Sequence, residues 1–153
     1  MKLPVYVTLL AESESTLARS YRQVADAHGD EPDIHFLCLT LAKQCENHRK
    51  KLDEVIQRIG RGEDGDEPER LHAAAIEEAR SGPLGVLRDL QDLYLLASLT
   101  DVTWTVVKQA AQALVDEHLL EIVEGCQKET AVQLRWLLTR MKQAAPQALI
   151  AAR

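Results

Sequence analysis

Aromatic side chains are scarce, at 4% of the residues, and glycine and proline are few and clustered. What remains is rich in Leu, Ala, Glu, Gln, Lys and Arg, the residues with the strongest helix propensity, so the composition is that of an all-α protein. A basic excess is also lacking. The formal charge of -6 and a pI near 5.4 argue against a nucleic-acid-binding surface. No apolar run approaches the roughly 20 residues of a membrane span. The start of the chain has one basic residue, Lys2, and a short apolar run that leads directly into Glu12 and Glu14, a poor match to a cleaved leader. The three cysteines, Cys38, Cys45 and Cys126, are odd in number and lie within helical apolar patterns, which suits reduced thiols and a cytoplasmic location.

With 153 residues the chain can bury a single substantial core, and a single domain is expected over 1–153. The apolar periodicity predicts four helices, at about 4–28, 33–59, 84–114 and 117–143. Asp33 is placed to cap the second helix, and Pro146 to stop the fourth, leaving Gln147–Arg153 as a short tail. Residues 60–83 form a connection with an acidic, Gly-rich start and a short amphipathic helix inside it. Its length allows it to travel the full length of a bundle, whereas the short first connection makes helices one and two an antiparallel hairpin.

Helix two organises the rest. Ile34, Cys38, Leu41, Cys45, His48, Leu52, Val55 and Ile59 alternate in steps of four and three and mark one face. In helix one, Leu10, Glu14, Leu17, Tyr21 and Val24 share a face. In helix three the inward row is expected to be Leu87, Leu95, Leu99, Val102, Val106 and Ala110, with Thr100, Asp101 and Thr105 within or beside it. In helix four it is Leu119, Val123, Cys126, Thr130, Leu134, Leu137 and Met141, with Glu129 one residue off and Trp136 off the row as an oligomer-contact candidate. The halves echo one another: Cys45-x-x-His48 matches Cys126-x-x-Glu129.

Cys45 and His48 stand one turn apart on a core face. Three readings are open. A small thiol and a neutral imidazole bonded to Glu14 or a hydroxyl are ordinary core residues. Alternatively, thiolate and imidazole are good ligands for one soft metal, with Glu14 and Cys126 from facing helices completing a tetrahedron. The third is a redox-active thiol, its pKa lowered by His48, although a mid-core position denies Cys45 the exposure a nucleophile needs.

Four long helices, a long crossover, and a core Glu followed one helix later by a core His resemble the ferritin-like superfamily of ferritins, bacterioferritins and rubrerythrins. Glu14 with Ala18 and Tyr21 is similar to that superfamily's first-helix pattern, and Cys45-Glu46-Asn47-His48-Arg49-Lys50-Lys51-Leu52 to its Glu-x-x-His segment. The chain departs from the pattern where it has Cys45 in place of the bridging Glu, Thr100 or Asp101 in place of a third-helix Glu, and Glu129 without a fourth-helix His. Such a set is too poor in oxygen ligands for a carboxylate-bridged di-iron centre.

The resemblance therefore implies a divergent ferritin-like bundle without a standard di-iron site, holding at most one metal ion, zinc or iron, at Glu14, Cys45, His48, Cys126 and Glu129. No catalytic residue is assigned. A rubrerythrin- or ferritin-type metal-dependent oxidoreductase or iron-binding protein, and a non-catalytic helical interaction module, are the alternatives. A homodimer or larger homo-oligomer is the expected assembly, with neither nucleic acid nor membrane as partner.

Overall fold

The helix-forming composition is realised as four long α-helices. The computed structural model describes residues 1–62, 76 and 78–152, and in it α1 spans Leu3–Ala27, α2 Pro32–Ile59, α3 Gly82–Ala113 and α4 Glu117–Pro146. No strand occurs among the described residues, and no helix there is long and apolar enough to cross a membrane. Proline stands in the first turn of α1, α2 and α3, where its missing N–H would have had no helical partner. Asp116 caps α4 by accepting from Leu119 N at 3.1 Å. Asp33 does not cap α2; it lies inside the first turn and pairs with Arg140 instead.

Helix α1 packs against α2 and α3, and α4 against α3 and α2, which makes a four-helix bundle. Its core divides into two apolar clusters. One gathers Leu17 to Ala25 of α1, Ile34 to Cys45 of α2, Val86 to Ala97 of α3, and Leu137 and Ala144 of α4. The other gathers Leu3 to Ala11, Leu52 and Val55, Trp104 to Ala111, and Leu119 to Cys126. Helices α2 and α3 thus run in the same direction, both opposite to α1. Between the clusters lies a layer to which every helix gives a buried polar residue: Glu14, His48, Thr100 and Thr130.

The described ends of the 60–81 connection touch α1 at different heights. Gly62 N donates to Thr8 Oγ1 at 3.1 Å and Ile76 N to Ser20 Oγ at 3.1 Å. Gly62 lies so close to α1 that a Cβ there would come 2.6 Å from Val5 Cα. The short helix expected within this connection falls largely on residues outside those described.

The expected inward row of α3 is corrected by the structure. Leu87 is buried, but Leu95, Val102 and Val106 are 67%, 59% and 44% exposed, and Leu99 and Ala110 are half-buried. The buried row is Leu90, Leu93, Ala97, Thr100, Trp104, Val107 and Ala111. Both rows step by three and four, because α3 is apolar on two faces, and periodicity alone cannot rank them. In α4 the expected row holds: Leu119, Val123, Cys126, Thr130 and Leu137 are buried, with Leu134 and Met141 half-buried. Pro146 does not end the helical path. It lacks the N–H for an α-type bond, and the chain widens into a π-helix over Gln147–Ala151, where Ala152 N bonds Gln147 O at 2.8 Å.

Candidate functional site

The polar layer is built around His48. Helix α2 holds its ring fully buried, with Glu14 of α1 on one side and Glu129 of α4 on the other. Nδ1 lies 3.1 Å from Glu14 Oε1 and Nε2 lies 3.0 Å from Glu129 Oε1. A neutral imidazole has one N–H and one lone pair, so it can satisfy one carboxylate and must turn the lone pair on the other. The protonated ring donates to both. Burial alone acts to lower the His48 pKa and is the largest single influence, but the hydrogen bonds and charges of Glu14 and Glu129 together outweigh it and raise the value above 6.5.

Helix α3 contributes Trp104. Its Nε1 donates to Glu14 Oε1 at 2.8 Å, and its ring meets the His48 ring edge-on, with centroids 6.2 Å apart. Glu14 Oε1 thus receives bonds from two helices, while Glu14 Oε2 is buried with no hydrogen-bond partner among the described residues. Glu129 is 43% exposed, so the cluster opens to water on the α4 side. Arg49 ties α2 to α1 beside it, donating to Ala11 O at 3.1 Å and Ser15 Oγ at 2.8 Å.

A second polar group adjoins the first. Tyr21 donates its hydroxyl to Gln133 Oε1 at 3.0 Å, not to a carboxylate, and Gln133 Nε2 donates to Gln44 Oε1 at 3.0 Å. Cys45 Sγ lies 3.8 Å from both polar atoms of the Gln133 amide. Burial pushes the Cys45 thiol well up, with the nearby Glu14 charge adding to it. Among the described residues Glu14 Oε2 has no partner in bonding geometry, so the relation between thiol and carboxylate is one of charge rather than a formed hydrogen bond. Burial likewise pushes Cys38 and Cys126 up to about 12 and raises Tyr21.

Of the residues expected to bind a metal, the structure brings Glu14, His48 and Glu129 into direct contact. Cys45 and Cys126 belong to the two different apolar clusters, on either side of the layer. Among the described residues no three His, Cys, Asp or Glu side chains are arranged to hold a metal ion. The reason is visible: the imidazole stands between the two carboxylates, with both nitrogens engaged. Trp136, the oligomer-contact candidate, is half-buried and packs against one of the apolar clusters.

Sequence reasoning missed Trp104 and Gln133 as members of the site. Trp104 follows Thr100 by one turn on the alternative row of α3, which was the available signal; for Gln133, three residues after Thr130, the spacing carried the same information.

No known protein family, curated protein or solved structure matches the chain.

Proposed function

We propose that the chain is a divergent ferritin-like four-helix bundle, its second and third helices joined by a long crossover, that has exchanged a metal centre for a proton-charged imidazole and serves as a non-redox helical scaffold. The observation that carries this reading is the clamping of His48 by Glu14 and Glu129 through both ring nitrogens. An imidazolium between two carboxylates occupies the position of a cation and neutralises part of their charge without any ligand from outside. The parallel direction of α2 and α3, and the contacts of Gly62 near one end of α1 and Ile76 near the other, support the crossover.

A second reading is favoured by the unpartnered Glu14 Oε2. Were His48 to lose its proton, the Nδ1 lone pair and the Glu14 carboxylate facing it would offer one nitrogen and one carboxylate to a zinc or iron ion, with Glu129 left on the far edge of the ring, a donor set short of what two irons need. Bound there, the metal would supply Lewis acidity. The two readings are separated by elemental analysis of untagged protein prepared without chelator, alongside His48→Ala and Glu14→Gln. Less than about 0.1 metal per chain in all samples is expected. One metal per chain, lost in both variants, selects the second reading, and two irons per chain overturns both.

A further inference from the structure

We propose that the chain pairs with a second copy of itself through the outer face of α3, the two α3 helices lying antiparallel about a two-fold axis that passes between Leu99 and Val102. The row displaced from the core is the evidence. Leu95, Val102 and Val106 are 67%, 59% and 44% exposed, and with the half-buried Leu99 they step by four, three and four. At 100° per residue the four lie within about 60° of arc, a continuous apolar seam rather than scattered surface residues.

The spacing suits a second copy as the occupant. Four, three, four reads the same in both directions, so a reversed copy of the helix presents the same seam, and the antiparallel arrangement seats Leu95 against Val106 of the second copy and Leu99 against Val102. That is the self-complementarity a two-fold interface requires. The same register sets Arg88 opposite Ala113 and Gln91 opposite Ala110 of the second copy, so no like charges meet along it.

At the C-terminal end of α3 the seam continues into an apolar groove of about 320 Å³ lined by Leu3, Tyr6, Val106, Ala110, Ala113 and Leu114. At the other end of the bundle the π-helix packs on α3 and leaves Leu149 and Ile150 67% and 84% exposed. In this register residues 88–113 of the two α3 helices overlap over about 39 Å, so a strip one helix wide covers about 400 Å² per copy. The groove adds to that, which puts the pair among weak, concentration-dependent interfaces, below the roughly 800 Å² per partner of a stable dimer. This inference stands apart from the reading of the core site.

Sedimentation velocity of the full chain between about 1 and about 100 µM tests the assembly, and cysteine cross-linking tests the register. A dimer is expected, and Val102→Asp, on the surface, is expected to raise the half-dissociation concentration at least about tenfold with unchanged helicity. A mixture of Leu95→Cys and Val106→Cys chains is expected to form a disulfide under mild oxidation. Neither variant alone should do so, because equal residues in the two copies lie about 16 Å apart, beyond the reach of a disulfide. The native cysteines are all buried and do not compete. A monomer at every concentration, a dimer indifferent to Val102→Asp, or Leu95→Cys cross-linking to itself would each overturn the proposal; the first of these would leave the seam to another occupant, such as an acyl chain or a foreign helix.

Discussion

Trp104 Nε1 reaches across the bundle to Glu14 Oε1 at 2.8 Å, joining residues 90 positions apart in a layer where neither side chain touches water. The bond has a neutral donor and a buried carboxylate acceptor whose second oxygen is already unpartnered. Trp104→Phe removes the donor and part of the indole volume while keeping an aromatic ring. A loss of about 3 kcal/mol in unfolding free energy is expected, read from the urea midpoint, since a hydrogen bond to a charged group and a partly refilled cavity each contribute about 1.5 kcal/mol. A change under about 0.5 kcal/mol would mean that Glu14 is satisfied in another way.

His48 makes stability depend on pH in a defined direction. Its folded-state pKa lies above the ordinary 6.5, so the folded protein holds the proton more tightly than the unfolded chain does. The stabilisation is therefore complete below about pH 6.5 and disappears as pH rises through the folded-state value. Wild type should lose stability across that window, and the gap between it and His48→Gln should be widest at about pH 6 and narrow on going alkaline. In a Trp136→Phe background Trp104 is the sole tryptophan, and its emission should change over the same window because the imidazolium ring lies edge-on to it. A constant gap from pH 6 to pH 10 would show that His48 does not carry the proton.

The thiols should be silent in the native state. Burial pushes Cys38 and Cys126 up to about 12, and Cys45 is raised both by burial and by the Glu14 charge, so at pH 8 the thiolate is a trace species. A disulfide-exchange reagent is expected to label none of the three within an hour, and all three once urea unfolds the chain. Rapid labelling of Cys45 in the folded protein would instead indicate activation by His48 one turn away.

How much of this was legible in the sequence depends on the helix. In α1, α2 and α4 one face is apolar and the other charged, so the rows through Leu10, through Cys45 and His48, and through Cys126 could be read directly, and Glu14 and His48 were found on core faces. Helix α3 carries Leu95, Leu99, Val102 and Val106 on one face and Leu90, Leu93, Ala97 and Val107 on another. Both satisfy helical periodicity, and the choice between them is made by partners in other helices, which a local pattern does not contain. Trp104 was lost from the site for that reason. Distances across the bundle, such as that of His48 to Glu129, belong to tertiary packing and have no counterpart in spacing along one chain.

The far end of the bundle holds a second buried pair, His28 with Asp89, and it predicts where residues 78–81 are fastened. His28 Nε2 lies 2.8 Å from Asp89 Oδ2, both residues being almost fully buried. The same carboxylate accepts from Arg80 N at 2.9 Å, and its other oxygen from Arg80 Nη1 at 2.9 Å. The two attachments differ in weight. The Arg80 guanidinium is 42% exposed and screened by water, so Arg80→Ala should change stability little. Asp89→Ala leaves a buried imidazole and the Arg80 N–H without their acceptor, and removing one member of a buried pair costs about 3 kcal/mol, a fall of about 9 °C in melting temperature for a chain of this size. Hydrogen exchange at Ile76 and Arg80 should accelerate in Asp89→Ala well before the amides of α2 respond. Equal losses in the two variants would place the fastening in the exposed ion pair, against the burial seen here.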